Sequence, residues 1–210
     1  MTMAALLLAI GSNAQIVSSR SSSTVVLTQP KEKSPNIRYV RAGLNMANIV
    51  GKDVEEIGSR AAYDVAIGFQ RFMIDNLYWG MEFGLGSRGW KYEYGGAETK
   101  LMAHNIRWTP FQIGYKYPIT NDFKIEGHFG GFVSFDYWGK MVAEYGSKSS
   151  DESIWDNDDY HYVDGGIQLG VGLWYKIANL DFTWQRGFAK WEKGLRGYSS
   201  NLMLRLGVAF

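Results

Sequence analysis

The chain contains no cysteine, which excludes disulfides, thiolate metal centres, a cysteine nucleophile and a lipid-modified N-terminal cysteine. It has almost no net charge, +1 from 22 basic and 21 acidic residues. No global field therefore argues for nucleic acid or for an acidic partner. It also lacks any stretch approaching the roughly 20 apolar residues of a membrane helix. If the protein sits in a membrane, it does so as strands. Proline is scarce at 4 residues, whereas glycine reaches 25 and aromatics 15%, both high for a soluble domain. Small barrels use that pairing: glycine lets inward layers pack, and aromatics form interfacial girdles.

Residues 1–14 carry the apolar run Ala4-Ala5-Leu6-Leu7-Leu8-Ala9-Ile10 followed by Gly11-Ser12-Asn13-Ala14. This reads as a signal-peptide core with a small-x-small cleavage site after Ala14, since seven apolar residues are short for a buried helix. Residues 15–35, rich in Ser, Thr and Lys with Pro30 and Pro35, read as a disordered periplasmic leader. Residues 36–210 are expected to form one barrel domain.

The last stretch, residues 199–210, sets the pattern. Leu202, Leu204, Leu206, Val208 and Phe210 alternate with Asn201, Met203, Arg205, Gly207 and Ala209, which is the period of a strand with two unlike faces. Seven earlier stretches repeat it: residues 37–49, 62–73, 77–92, 102–117, 123–137, 163–175 and 180–189. In the fourth, the phase changes at Thr109-Pro110, where a bulge is expected because proline cannot donate to a ladder. The connections alternate long and short, with Ile74-Asp75-Asn76, residues 118–122 and Ala178-Asn179 as turns. Long connections fall at residues 50–59, around Gly95-Gly96, at residues 140–159 and at residues 191–197. Eight strands so connected predict an all-β fold, an eight-stranded antiparallel up-and-down transmembrane β-barrel with turns in the periplasm and loops outside.

Polarity separates this from a lipocalin-like barrel, which packs apolar faces inward around a ligand. Here the non-apolar face is small and glycine-rich, fit for the inside of a narrow cylinder, so the bulky apolar face points out, where only lipid tolerates it. Arg71 and Arg186 fall on that outer face, where a midplane charge costs about 2 to 4 kcal/mol. Arg71 lies near the periplasmic end, from which a long side chain snorkels; Arg186 lies towards the outer end, where lipopolysaccharide phosphates or a shift at Gly187 accommodate it.

The stretch Arg41-Ala42-Gly43-Leu44-Asn45-Met46-Ala47-Asn48-Ile49 resembles the first strand of the outer-membrane β-barrel domain family of small porin-like proteins, of the Bacteroidetes type. Trp108-Thr109-Pro110-Phe111-Gln112-Ile113-Gly114-Tyr115-Lys116-Tyr117 is similar to its fourth strand, and Leu206-Gly207-Val208-Ala209-Phe210 to its end. The resemblance covers residues 37–210. It implies an outer-membrane protein of a Gram-negative bacterium, in contact with lipid and lipopolysaccharide, whose last strand is read by the barrel assembly machinery through Phe210. It says almost nothing of activity, because this fold is shared more widely than any function.

The inward series collects Arg41, Asp64, Glu82, Arg88, Lys124, Glu126, His128, Asp136, Asp164, Asp181 and Arg205. Charges in a dry lumen must be paired, so a cross-linked ion network is expected. Eight strands leave a bore that side chains fill. The expected role is structural, or surface interaction with an extracellular ligand or host surface through the loops, in a monomer without enzymatic activity, cofactor, metal or nucleic acid. A narrow channel for small or hydrophobic solutes is the alternative. A lipid-modifying enzyme is weaker; its best candidate group is His161 near Asp159, with Ser199 or Ser200 across the wall. Asp151, Glu152, Asp156, Asp158 and Asp159 match no calcium-loop spacing and read as a solvated acidic loop. It is expected to pair with Lys190, Lys193 and Arg196. Trp90, Tyr92, Tyr137, Trp138, Tyr160, Tyr162, Trp191 and Tyr198 are expected to form an outer aromatic girdle, and Trp79, Tyr117, Phe123, Tyr175 and Phe210 an inner one.

Overall fold

The computed structural model describes residues 36–54, 57–146, 148–194 and 196–210; the expected signal peptide and leader lie outside the described residues. Nine strands form among them: β1 (Ile37–Gly51), β2 (Arg60–Ile74), β3 (Leu77–Tyr94), β4 (Ala97–Pro118), β5 (Phe123–Tyr145), β6 (Lys148–Ser153), β7 (Val163–Tyr175), β8 (Ala178–Lys190) and β9 (Gly197–Ala209). The order is β4-β3-β2-β1-β9-β8-β7-β5, and pairing of β4 with β5 closes the ring. Every pairing is antiparallel. The protein is an eight-stranded up-and-down β-barrel, with β6 paired only to β5 outside the wall.

The two-residue period places the side chains. Along β9, Arg205 is 1% exposed and its neighbour Leu206 is 70% exposed, and the alternation continues through Met203, Leu204, Leu202 and Asn201. The division is inside-out relative to a water-soluble barrel. Arg41, Asp64, Glu82, Gln112, Glu126, Gln168, Asp181 and Arg205 are buried within, while Leu44, Ile67, Phe83, Phe129, Leu169, Phe182 and Leu204 stand out on the wall. A contiguous apolar exterior around a polar interior is the polarity of a transmembrane barrel.

The expected bulge is present: Trp108 pairs with Val133 and Phe111 with Gly131, leaving Thr109 and Pro110 opposite Phe132. The missing proline donor thus falls where the ladder is already interrupted. A second shift on β5 turns both Tyr137 and Trp138 outward, with His104 packed beside them.

Three expectations are corrected. The connection around Gly95-Gly96 is no loose loop, because β3 and β4 stay paired out to Tyr94 and Ala97. Gly95 (φ 57°) and Gly96 (φ 83°) then make a two-residue turn, a conformation side chains resist and glycine does not. In residues 140–159, β5 continues to Tyr145 and β6 folds back on it, followed by the 3-10 turn Ile154–Asp156. The third tight turn is Lys176-Ile177 rather than Ala178-Asn179, since Tyr175 pairs with Ala178. Asn179 is therefore a wall residue facing inward, buried to 3% exposure.

Glycines make the lumen wide enough for its long side chains. Gly84 pairs with Arg107, Gly172 with Glu126, Gly170 with His128 and Gly207 with Arg41, each glycine leaving room for its partner. A Cβ on Gly170 would meet the His128 ring at 2.3 Å and Thr183 Oγ1 at 2.7 Å. Gly170→Val is expected to cost about 1–3 kcal/mol through overpacking. The check is a lower urea midpoint in detergent for this variant, with no such shift for Val171→Ala on the outer face.

Candidate functional site

The lumen holds two charge clusters. In the first, Arg205 joins Asp64 (Nη1–Oδ1 3.1 Å), Glu82 (Nη1–Oε1 2.8 Å) and Asp181 (Nη2–Oδ1 2.7 Å). Arg107 forks onto Asp64 and reaches Glu82 at 3.3 Å. Arg41 lies 3.2 Å from Asp181, 3.5 Å from Glu82 and 3.6 Å from Glu126; its Nε donates to Asn179 Oδ1 at 2.8 Å, and it stacks over Tyr39 at 4.3 Å. Lys116 Nζ lies 3.9 Å from Glu126 and 3.4 Å from the centre of the Trp174 ring. His128 Nε2 is 2.9 Å from Asp181. Glu126 also accepts hydrogen bonds from Gln70, Tyr78 and Trp174.

Four cations thus face four carboxylates, and with Trp174 of β7 every wall strand contributes a side chain. Charge-assisted bonds of this density offset the cost of desolvation that an isolated buried ion cannot recover.

The second cluster lies nearer the loops. Arg88 forks onto Asp136 (Nε–Oδ1 2.9 Å, Nη2–Oδ2 2.7 Å) and reaches Asp164 at 2.9 Å. Tyr160 donates to Asp136, and Ser199 and the Ala189 amide donate to Asp164. Trp191 covers the guanidinium, its ring centre 4.5 Å from Arg88 Cζ. Between the clusters, a void lined by Asn45, Ser87, Asn105, Arg107, Ser134 and Gln185 has a volume of about 10 Å³, room for about one water.

Ten of the eleven residues expected inside are buried there. Lys124 departs: it is only half-buried and makes no ion pair among the described residues. As the second residue of β5, beside the turn at residues 119–122, it reaches water and needs no partner. Arg107 and Lys116 belong to the first cluster and are missing from the expected set. Their signal was available, since Arg107 alternates between Ile106 and Trp108, and Lys116 between Tyr115 and Tyr117.

Above Arg88 the loops form a small core of Ile49, Leu101, Ala103, Ile154, Tyr160 and Trp191, with Val54, Trp90, Met141 and Tyr162 packed against it. This corrects the girdle expectation. Trp90, Tyr160, Tyr162 and Trp191 belong to this cap core, with Leu101 from the projecting hairpin and Ile154 from the 3-10 turn packed among them, and Tyr137 and Trp138 remain outward. The cap is laced by backbone bonds His161 N to Trp191 O (2.9 Å), Lys193 N to Asp159 O (3.1 Å) and Gly58 N to Lys91 O (2.7 Å). Lys193 pairs with Asp159 at 3.6 Å. Arg196 turns away from the acidic loop and holds Asp53 by its amide (2.9 Å), Nε (3.0 Å) and Nη2 (2.9 Å). A cavity of about 700 Å³ opens in this cap, walled by Ile49, Val54, Ile57, Trp90, Leu101 and Met141, with Lys52, Asp53 and Glu192 at its edge.

The weaker catalytic grouping is not assembled. His161 Nδ1 lies 2.8 Å from the Lys190 carbonyl, Ser199 donates to Asp164, and Ser200 accepts from Trp184 at 3.3 Å. A nucleophile must sit within hydrogen-bond reach of its base, and neither serine bonds to His161.

Fold and interior together define a small transmembrane β-barrel with a filled bore and a structured cap. No family model and no curated protein matches the chain. Among solved structures it is similar to Ail, the attachment invasion locus protein of Yersinia pestis, at 11% identity over 84% of this chain and 100% of that one, TM-score 0.43. It is also similar to Neisserial surface protein A, at 16% identity over 82% and 97%, TM-score 0.44. The translocator domain of the autotransporter NalP from Neisseria meningitidis follows at 10% identity over 83% and 88%, TM-score 0.30. The fold assignment rests on the chain's own strand pairing and polarity.

Replacing Arg205 takes one cation from Asp64, Glu82 and Asp181 and leaves the cluster with four carboxylates to three cations. Arg205→Met is expected to destabilise the barrel by about 3–5 kcal/mol, the cost of breaking a buried pair from one side, against under about 0.5 kcal/mol for Lys124→Met. Urea unfolding followed by tryptophan fluorescence measures both. The Asp53 clasp has its own pH signature. Hydrogen bonds from Arg196 hold the Asp53 carboxyl down at about 2. A depressed carboxylate contributes above its ordinary value and is lost as pH falls through its folded one. Protection of the Arg196 amide from hydrogen exchange should hold from pH 7 to pH 4 and collapse only below about pH 3; Asp53→Asn should remove it at pH 7.

Proposed function

We propose that this chain is an integral outer-membrane protein of a Gram-negative bacterium, which works through its loop cap as a surface-interaction module and not as a pore. The lumen carries the reading: the void between its ion clusters has room for about one water, far below what a solute path needs. The clusters lock the wall strands to one another so that the loops stand on a rigid base. The cap cavity, about 700 Å³ with apolar walls and charged groups in its lining, has the size and lining of a small-ligand site; elsewhere on the cap Trp155 is half exposed, stacked on Tyr162 at 4.4 Å.

The tight turns then face the periplasm and the cap faces outward. Phe210, outward on the wall with its amide bonded to the Arg38 carbonyl at 2.9 Å, serves as the assembly signal. Lipid and lipopolysaccharide cover the apolar exterior, and no cofactor, metal or nucleic acid takes part. The small porin-like family of the Bacteroidetes type is the fitting relationship.

Two measurements test this. Purified protein in planar bilayers is expected to give no discrete conductance steps; reproducible channels would overturn the closed-lumen reading. Membrane residence is expected to appear as fractionation with outer membranes and a heat-dependent gel shift, and recovery as soluble periplasmic protein would overturn the whole proposal.

A further inference from the structure

Two arginines stand on the outer wall at the tight-turn end, opposite the cap. Arg38 pairs across to Phe69 on β2, and Arg71 lies two residues further along that strand, paired to Trp79. Both are exposed, and neither makes an ion pair with another described residue. Aromatic side chains lie opposite them, Phe69 and Phe210 for Arg38 and Trp79 for Arg71, and no side-chain carboxylate does. Beside them the wall forms a groove of about 810 Å³, lined by Ile67, Phe69, Trp79, Phe83 and Trp108.

Each feature makes sense on its own terms only at a membrane interface. A guanidinium on an apolar wall is costly without a counter-charge, and a lipid phosphate supplies one through charge-assisted hydrogen bonds. Residues at diagonal positions on adjacent strands are about 7–8 Å apart, a spacing that lets two guanidiniums close on one phosphodiester. The groove runs from that pair along the wall, where acyl chains lie in any case. A lipid whose head group also carries an ammonium brings a positive charge toward two arginines; an anionic one does not.

We propose that this wall holds one anionic glycerophospholipid of the periplasmic leaflet. Its phosphate lies between Arg38 and Arg71, and its acyl chains lie in the groove walled by Trp79, Phe83 and Trp108. The site rests on the membrane reading above and extends it from a general lipid annulus to a defined contact.

The test is reconstitution of the full chain into nanodiscs of mixed phosphatidylglycerol and phosphatidylcholine, followed by native mass spectrometry of the lipids that remain bound. Phosphatidylglycerol should be enriched over its bulk share on the order of tenfold, as two basic groups at an anionic surface provide. The enrichment should vanish in Arg38→Gln/Arg71→Gln and persist in Arg186→Gln, which removes an outer-wall charge at the opposite end. All three should keep the heat-dependent gel shift, and quenching of tryptophan by brominated phosphatidylglycerol should fall in the double variant. Inserted protein that retains both lipids in bulk proportion, or a double variant with undiminished enrichment, would overturn the lipid site alone. Protein that does not enter the bilayer would overturn the membrane reading and the site with it.

Discussion

Charge neutrality inside a closed cylinder is the constraint on which this structure depends. Arg41, Arg107, Lys116 and Arg205 are buried with Asp64, Glu82, Glu126 and Asp181, away from bulk water. Such groups are stable only as a set, since removing either sign leaves a bare ion in a low-dielectric interior. The set is also distributed: β1, β2, β3, β4, β5, β8 and β9 each supply a charged member, so the network acts as a cross-brace between strands far apart in sequence. The polar interior, the apolar wall and the glycines opposite the longest side chains all follow from placing this brace inside.

Size follows from the same requirement. An eight-stranded wall encloses a bore that side chains just fill, but arginine and glutamate fit only where the neighbouring strand yields space. Gly84 beside Arg107 and Gly172 beside Glu126 provide it. At the open end the brace passes into the cap, where Arg88 binds Asp136 and Asp164 on one side and lies against Trp191 on the other. The cap core therefore begins at a lumen charge. This continuity from brace to loops is the physical basis for reading the loops as a fixed surface.

Much of the fold was legible in the residues. Eight alternating stretches, the break at Thr109-Pro110 and the inward position of Asp64, Glu82 and Arg205 all follow from a period of two, which needs no knowledge of neighbours. Arg107 and Lys116 obey the same period, each between two bulky apolar residues of β4. The ends of strands were less accessible. Whether the chain around Gly95-Gly96 stays paired depends on cross-strand bonds between Tyr94 and Ala97, and whether Trp191 meets lipid or a loop core depends on Leu101, Ile154 and Tyr160 converging on it from other strands and loops.

The division of faces, and hence the barrel and its polarity, is written in the order of residues, because alternation is a local property of an extended chain. The choice of partners is not local and emerges with the closed ring. Arg205 meets Asp64, Glu82 and Asp181 rather than any other carboxylate because β9 closes between β1 and β8. Arg196 meets Asp53 rather than the acidic loop because the ring brings those loops side by side. Lys124 is left out because its strand begins at the rim. Register, bulge position and ring closure set these distances, and they arise from pairings between strands, those of β1 with β9 joining residues more than a hundred positions apart.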